Sequence, residues 1–146
     1  MYFDDLPKGY TFETGTRTLS EDEITGFARQ WDPQSFHTDP EAAKASPYGG
    51  LIASGFHTLL TAFNLTLGAN VWNEASMGSP GMDSLRWIRP VRPGDTLRVR
   101  IEVTSSTPSR SRHDRGRTGF RHTVLNQNDE VVMTYHCVVI LARRPC

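Results

Sequence analysis

The chain has no long apolar run, no basic-then-apolar leader and no excess of charge of either sign. Between Gly49 and Asn73 there is no Asp, Glu, Lys or Arg, but Gly, Ser, Thr, His and Asn interrupt the stretch. No segment approaches the roughly 20 apolar residues that a bilayer span requires. The N-terminal residues MYFDDLPKGY do not have the pattern of a secretory signal. The reading is therefore a cytoplasmic protein with no membrane partner. Sixteen basic residues balance 16 acidic ones, which argues against nucleic acid as a partner. Lysine is scarce, two against 14 arginines, and base composition of the genome suffices to explain it. Cysteine is scarcer still. Cys137 lies in a strand-like run and Cys146 is the last residue, a spacing that fits neither a zinc site nor a redox pair. Repeats and linkers are also missing, so the 146 residues read as one domain, 1–146.

What is present has the pattern of an α+β fold. Residues 9–19 alternate like a strand. Ser20 opens a capping box with Glu23. The helix that follows carries Ile24, Phe27 and Ala28 on one stripe and ends near Trp31, because Pro33 biases Asp32 away from helical geometry. Asp39-Pro40 has the chemistry of a second helix start, and Ser46-Pro47 stops that helix. A longer helix follows the Gly49-Gly50 pair. Ile52, Phe56, Leu59, Leu60, Phe63 and Leu67 recur at three- and four-residue spacing. A helix so apolar on nearly all sides is expected to be enclosed by a sheet. Strands are predicted at 82–89, 96–105, 117–126 and 131–141, with a turn at residues 126–129. The Ser-, Arg- and Pro-rich stretch 105–116 reads as a mobile loop.

Chemistry concentrates in WDPQSFHTDP, residues 31–40. Asp32 and His37 stand five positions apart in a Pro-bounded segment, shortly before a Gly-rich helix start. A carboxylate can act as a base, and imidazole changes charge near neutral pH. A helix N-terminus presents backbone N–H groups to a developing oxyanion. On these residues alone, a capping Asp and a loop His satisfied by backbone are the favoured reading. Asp39 reads as a helix cap and His57 as a packed histidine. His113, His122 and His136 have no ligand spacing, so no metal site is predicted. Arg110, Arg112, Arg115, Arg117 and Arg121 read as a solvated face, with phosphate contact as the alternative.

The order Asp32-x4-His37-x-Asp39, then Ile52-Ala53-Ser54-Gly55, then GMDSLRWIRPVRPGDTLRVRIEV (81–103) and LNQNDEVVM (125–133) resembles the MaoC-like acyl dehydratases, which include the R-specific enoyl-CoA hydratases. The resemblance implies a hot-dog fold, an antiparallel sheet wrapped around a central apolar helix. It implies reversible addition of water to a trans-2-enoyl-CoA, with Asp32 as the base toward water. His37 orients water and delivers a proton, and the Gly55 N–H is the oxyanion donor. It further implies no cofactor beyond coenzyme A in the substrate, and a homodimer or an assembly of dimers. The chain departs from the familiar loop at Gln34, where the family has Asn. Ser54 stands where many relatives carry His, and Phe63 where some hydratases have a Ser near the catalytic pair. Gln34, Ser54 and Phe63 are accordingly expected to support the pair or line the acyl pocket. Ser54 is expected to matter less than Gly55, because Gly55 acts through its backbone. Two other functions fit the same residues: a hot-dog thioesterase and a non-catalytic acyl-thioester binding protein.

Overall fold

The computed structural model describes residues 1–146. Short strands β1 (Thr11–Glu13) and β2 (Arg17–Thr18) lead into helix α1 (Glu21–Trp31), a single-turn helix α2 (Ser35–Thr38) and α3 (Pro40–Lys44). Helix α4 (Gly55–Gly68) precedes four strands, β3 (Gly81–Trp87), β4 (Thr96–Pro108), β5 (Arg115–Leu125) and β6 (Val131–Ala142). All pairings are antiparallel, in the order β1-β4-β5-β6-β3, and β2 also pairs β4. The alternation read in β4 is realised on its apolar side: Leu97, Val99, Ile101 and Val103 are buried, Arg100 and Glu102 are exposed, and Arg98 is half-buried. Each such burial is worth about 1.5–3 kcal/mol before entropy is counted. No helix is long and apolar enough to cross a membrane.

The capping chemistry forms as read. Ser20 Oγ accepts from the Glu23 amide, and Asp39 Oδ1 from the amides of Glu41 and Ala42. Three readings need correction. The first strand is two, β1 and β2, separated by Thr14–Thr16, because the Thr14 hydroxyl takes up the Val99 amide and interrupts the ladder. Residues 105–116 are not one long loop. Ser105 pairs with Gly119 and Pro108 with Gly116, so only 109–114 connect the strands. Cross-strand pairing overrides the polar composition there.

The third correction concerns α4. It starts at Gly55, since the amides of Ile52 and Ala53 are committed to the carbonyls of Phe36 and Val91. Nor is it enclosed on all sides within the chain. Phe56, Leu60 and Phe63 are 59%, 54% and 46% exposed, whereas His57, Thr58, Thr61, Ala62 and Thr66 face the interior. The threonines are tolerated inside because Thr61 and Thr66 donate to the carbonyls of His57 and Ala62 one turn back.

The interior also holds His122 on β5, stacked on Tyr135 of β6 at 4.2 Å, its Nδ1 without a hydrogen-bond partner. Burial, the largest cause, drives this imidazole down to about 4. It therefore stays neutral in the fold, while in the unfolded chain it takes up a proton near pH ~6.5. Between those values the unfolded state binds more protons. Stability should then be full above pH ~6.5 and fall by roughly 3 kcal/mol as the pH drops to about 4. Urea midpoints measured across this range check it. The near-isosteric His122→Phe should flatten the decline; an unchanged slope would assign it to other groups.

Candidate active site

Asp32 closes α1, its amide donating to Ala28 O at 2.8 Å, and Pro33 cannot continue the ladder. The chain then turns into α2. His37 is therefore not on an irregular loop, as the prolines imply, but on one helical turn that rigidly directs its ring inward. His37 is buried and Asp32 nearly so. His37 Nδ1 lies 2.8 Å from Ile52 O, and Nε2 lies 3.3 Å from Asp32 Oδ2. Because a carbonyl only accepts, Nδ1 carries a proton and Nε2 is left to face the carboxylate. That contact becomes a charge-assisted bond when the ring is imidazolium.

Both carboxylate oxygens of Asp32 are engaged. Gln34 Nε2 donates to Oδ1 and Ser54 Oγ to Oδ2, each at 2.7 Å. Burial pushes the Asp32 carboxyl up. The bonds from Gln34 and Ser54, with the nearby His37, together outweigh that and hold it below the usual carboxylate value. Gln34 thus serves the loop as a donor despite standing in the place of Asn. Ser54 is N-cap of α4 and accepts from the Phe56 amide at 3.3 Å. The next residue, Gly55, is the first of the helix, where an amide has no intrahelical acceptor.

Asp32, Gln34, His37 and Gly55, with Ser54 buried behind them, line a cleft of about 520 Å³ with apolar walls from Phe36, Ile52, Phe56, Trp87, Ile88 and Val132. A half-buried carboxylate against a buried imidazole beside a helix N-terminus, in an apolar cleft with one basic residue, Arg89, at its wall, can move protons at a polarised carbonyl compound. Phe63, placed by the sequence beside the acyl pocket, does not line the cleft; it lies on the exposed face of α4. The five arginines between 110 and 121 also stand apart from the cleft. Arg115 pairs with Asp114 and Arg121 with Glu102. His57 packs in a stack with Phe27 at 4.5 Å, and His136 bonds Thr104 and Asp83 on another part of the sheet.

Trp87 is the residue that sequence reasoning passed over. It ends β3, is 52% exposed, and lays its indole against Gly55 so closely that a Cβ built on Gly55 would overlap the ring. Its only sequence signal is position, three residues before Pro90 in a strand.

Comparison with known proteins gives a consistent family. The profile described as MaoC like domain matches residues 7–125. The 3-hydroxybutyryl-CoA dehydratase of Methylorubrum extorquens is 32% identical over 115 residues, 77% of this chain and 69% of that protein. The crystal structure of a MaoC-like dehydratase from Rhodospirillum rubrum superposes with a TM-score of 0.94 at 37% identity, covering 100% of this chain and 99% of that one. A Mycobacterium tuberculosis protein described as having a double hotdogfold matches with a TM-score of 0.79 at 25% identity, over 99% of this chain and 45% of that one. The fold is thus the hot dog, an antiparallel sheet around a central helix.

Proposed function

The chain belongs to the MaoC-like dehydratase family, and from that premise we propose that it is a lyase adding water reversibly to a trans-2-enoyl thioester of coenzyme A. The observation that carries this reading is the Asp32–His37 pair at 3.3 Å, with His37 buried and Asp32 half-buried, one hydroxyl away from the start of α4. Asp32 takes a proton from water as its oxygen bonds to C3 of the enoyl group. Electron density moves to the thioester oxygen, which the Gly55 amide stabilises more in the enolate than in the ground state. In this reading the cycle starts with His37 protonated at both ring nitrogens, and its Nε2 proton goes to C2. The pair then holds one proton on the carboxyl and none on Nε2, and direct transfer across their contact restores the starting state. Ile52 O keeps the Nδ1 proton in place throughout, so only Nε2 exchanges. The dehydratase relative acts on 3-hydroxybutyryl-CoA according to its name, which supports coenzyme A as the carrier.

Purified protein assayed against trans-2-enoyl-CoA thioesters of increasing length should remove the conjugated double-bond absorbance without releasing thiol. Thiol release without prior loss of that absorbance would replace the lyase with a thioesterase. Binding with neither signal would leave a non-catalytic acyl-thioester binding protein.

The same reading includes a homodimer. β3 is a sheet edge with one face of pairing used, and the exposed Phe56, Leu60 and Phe63 of α4 adjoin it through the Phe56–Trp87 contact. Unpaired edges and apolar patches of this kind are covered in stable proteins, and a second copy offers the same surface in two-fold symmetry. Sedimentation should give a dimer at micromolar concentration, and Leu60→Glu with Phe63→Glu should give a monomer. A wild-type monomer at that concentration would refute the assignment.

A further inference from the structure

The sequence gives Ser54 a minor part, but its surroundings do not. Its side chain is 0% exposed, and its hydroxyl joins two groups that the reaction uses separately. It donates to Asp32 Oδ2 at 2.7 Å and accepts from the Phe56 amide at 3.3 Å. The directions are fixed, because an ionised carboxylate can only accept and an amide can only donate. The oxygen it holds, Oδ2, is the one that faces His37 Nε2. The other oxygen is held by Gln34, which is exposed.

We propose that Ser54 is a positioning residue. It ties the Asp32 carboxylate to the N-terminus of α4, so that the base and the Gly55 oxyanion donor form one rigid unit. This rests on the reading of Asp32 as the base. The bond is made to the charged carboxylate and weakens once Asp32 has taken a proton from water. Ser54 therefore favours the ionised form and fixes its plane, and it never touches the acyl group. Its loss should leave substrate binding alone, lower the chemical step, and make Asp32 easier to protonate.

The test is Ser54→Ala alongside Ser54→Thr, which keeps a hydroxyl, and Ser54→Gly, which keeps a competent helix cap without one. Ser54→Ala and Ser54→Gly should lower kcat by about 10- to 100-fold, within the range of a general acid–base contribution, with KM within about twofold. The acid limb of the pH–rate profile should move to higher pH, and Ser54→Thr should recover most of both. A second readout needs no activity. The Asp32 side-chain carboxyl, followed by carbon-13 NMR and assigned by its disappearance in Asp32→Asn, should titrate at higher pH in Ser54→Gly than in the wild type. A KM increase with unchanged kcat, or an unmoved Asp32 titration, would overturn the proposal. Absence of hydration by the wild type together with a moved titration would overturn the enzymatic reading while keeping the coupling.

Discussion

Asp32→Asn should lower hydration turnover by about two to four orders of magnitude, the scale on which a general acid–base group contributes. The substitution keeps shape and keeps an oxygen for Ser54 or Gln34 to donate to, so the fold should survive. It removes the negative charge facing His37 Nε2 and the lone pair that receives a proton from water. His37→Ala should cost a similar factor by another route. It removes the proton donor to C2 and leaves the Ile52 carbonyl without its partner. Because His37 also packs edge-on against Phe36 at 4.5 Å, this variant should lose thermal stability as well. Steady-state rates with one enoyl-CoA and melting curves on the same preparations separate the two effects. Near-wild-type turnover by Asp32→Asn would end the mechanism.

Gly55→Val should lower turnover by about a hundredfold, the usual effect of displacing a reacting group by about an ångström. Stability should fall by about 1–3 kcal/mol, as overpacking typically does. The two losses have different origins. A side chain at 55 collides with the Trp87 indole, and it also stands between the helix amide and any planar thioester laid against it. Combining Gly55→Val with Trp87→Ala separates them, with Trp87→Ala alone as the reference. Stability relative to that reference should return once the indole is gone, and turnover should stay low. A double variant as active as Trp87→Ala would mean that glycine is required only by the tryptophan, and the oxyanion assignment would fall.

The contrast between these two sites marks how far the sequence carries. The placement of Asp32 and His37 in one short segment was legible because punctuation surrounds them: Ser20 starts α1, Pro33 ends it, and Asp39-Pro40 starts α3; their roles came from the resemblance. These signals act within a few residues, and no tertiary contact is needed to read them. β4 was legible for a related reason, since Leu97, Val99, Ile101 and Val103 all have one destination. The face of α4 was not. Its apolar residues surround the helix, and its threonines count as polar in a pattern although their hydroxyls are satisfied by the helix itself. Which side turned inward depended on the fit to the sheet. Phe63 was misplaced for this reason. The Ser54 bond to Asp32 spans 22 residues, and the overlap of Trp87 with position 55 joins the end of β3 to the start of α4. Neither has a periodic signature, and both exist only once the sheet has wrapped around the helix.

The orientation of α4, threonines inward and phenylalanines outward, has a thermodynamic consequence. A helix that turns its largest apolar side chains away from its own core leaves part of its hydrophobic driving force to be collected between molecules. In the proposed dimer a second copy covers that face, and folding and association are then linked by mass action. Each tenfold dilution then removes about 1.4 kcal/mol from the association step. Resistance to heat, urea and proteolysis becomes a function of how much of the protein is present, and the dilute chain is the vulnerable one even though its sequence and its internal contacts are the same.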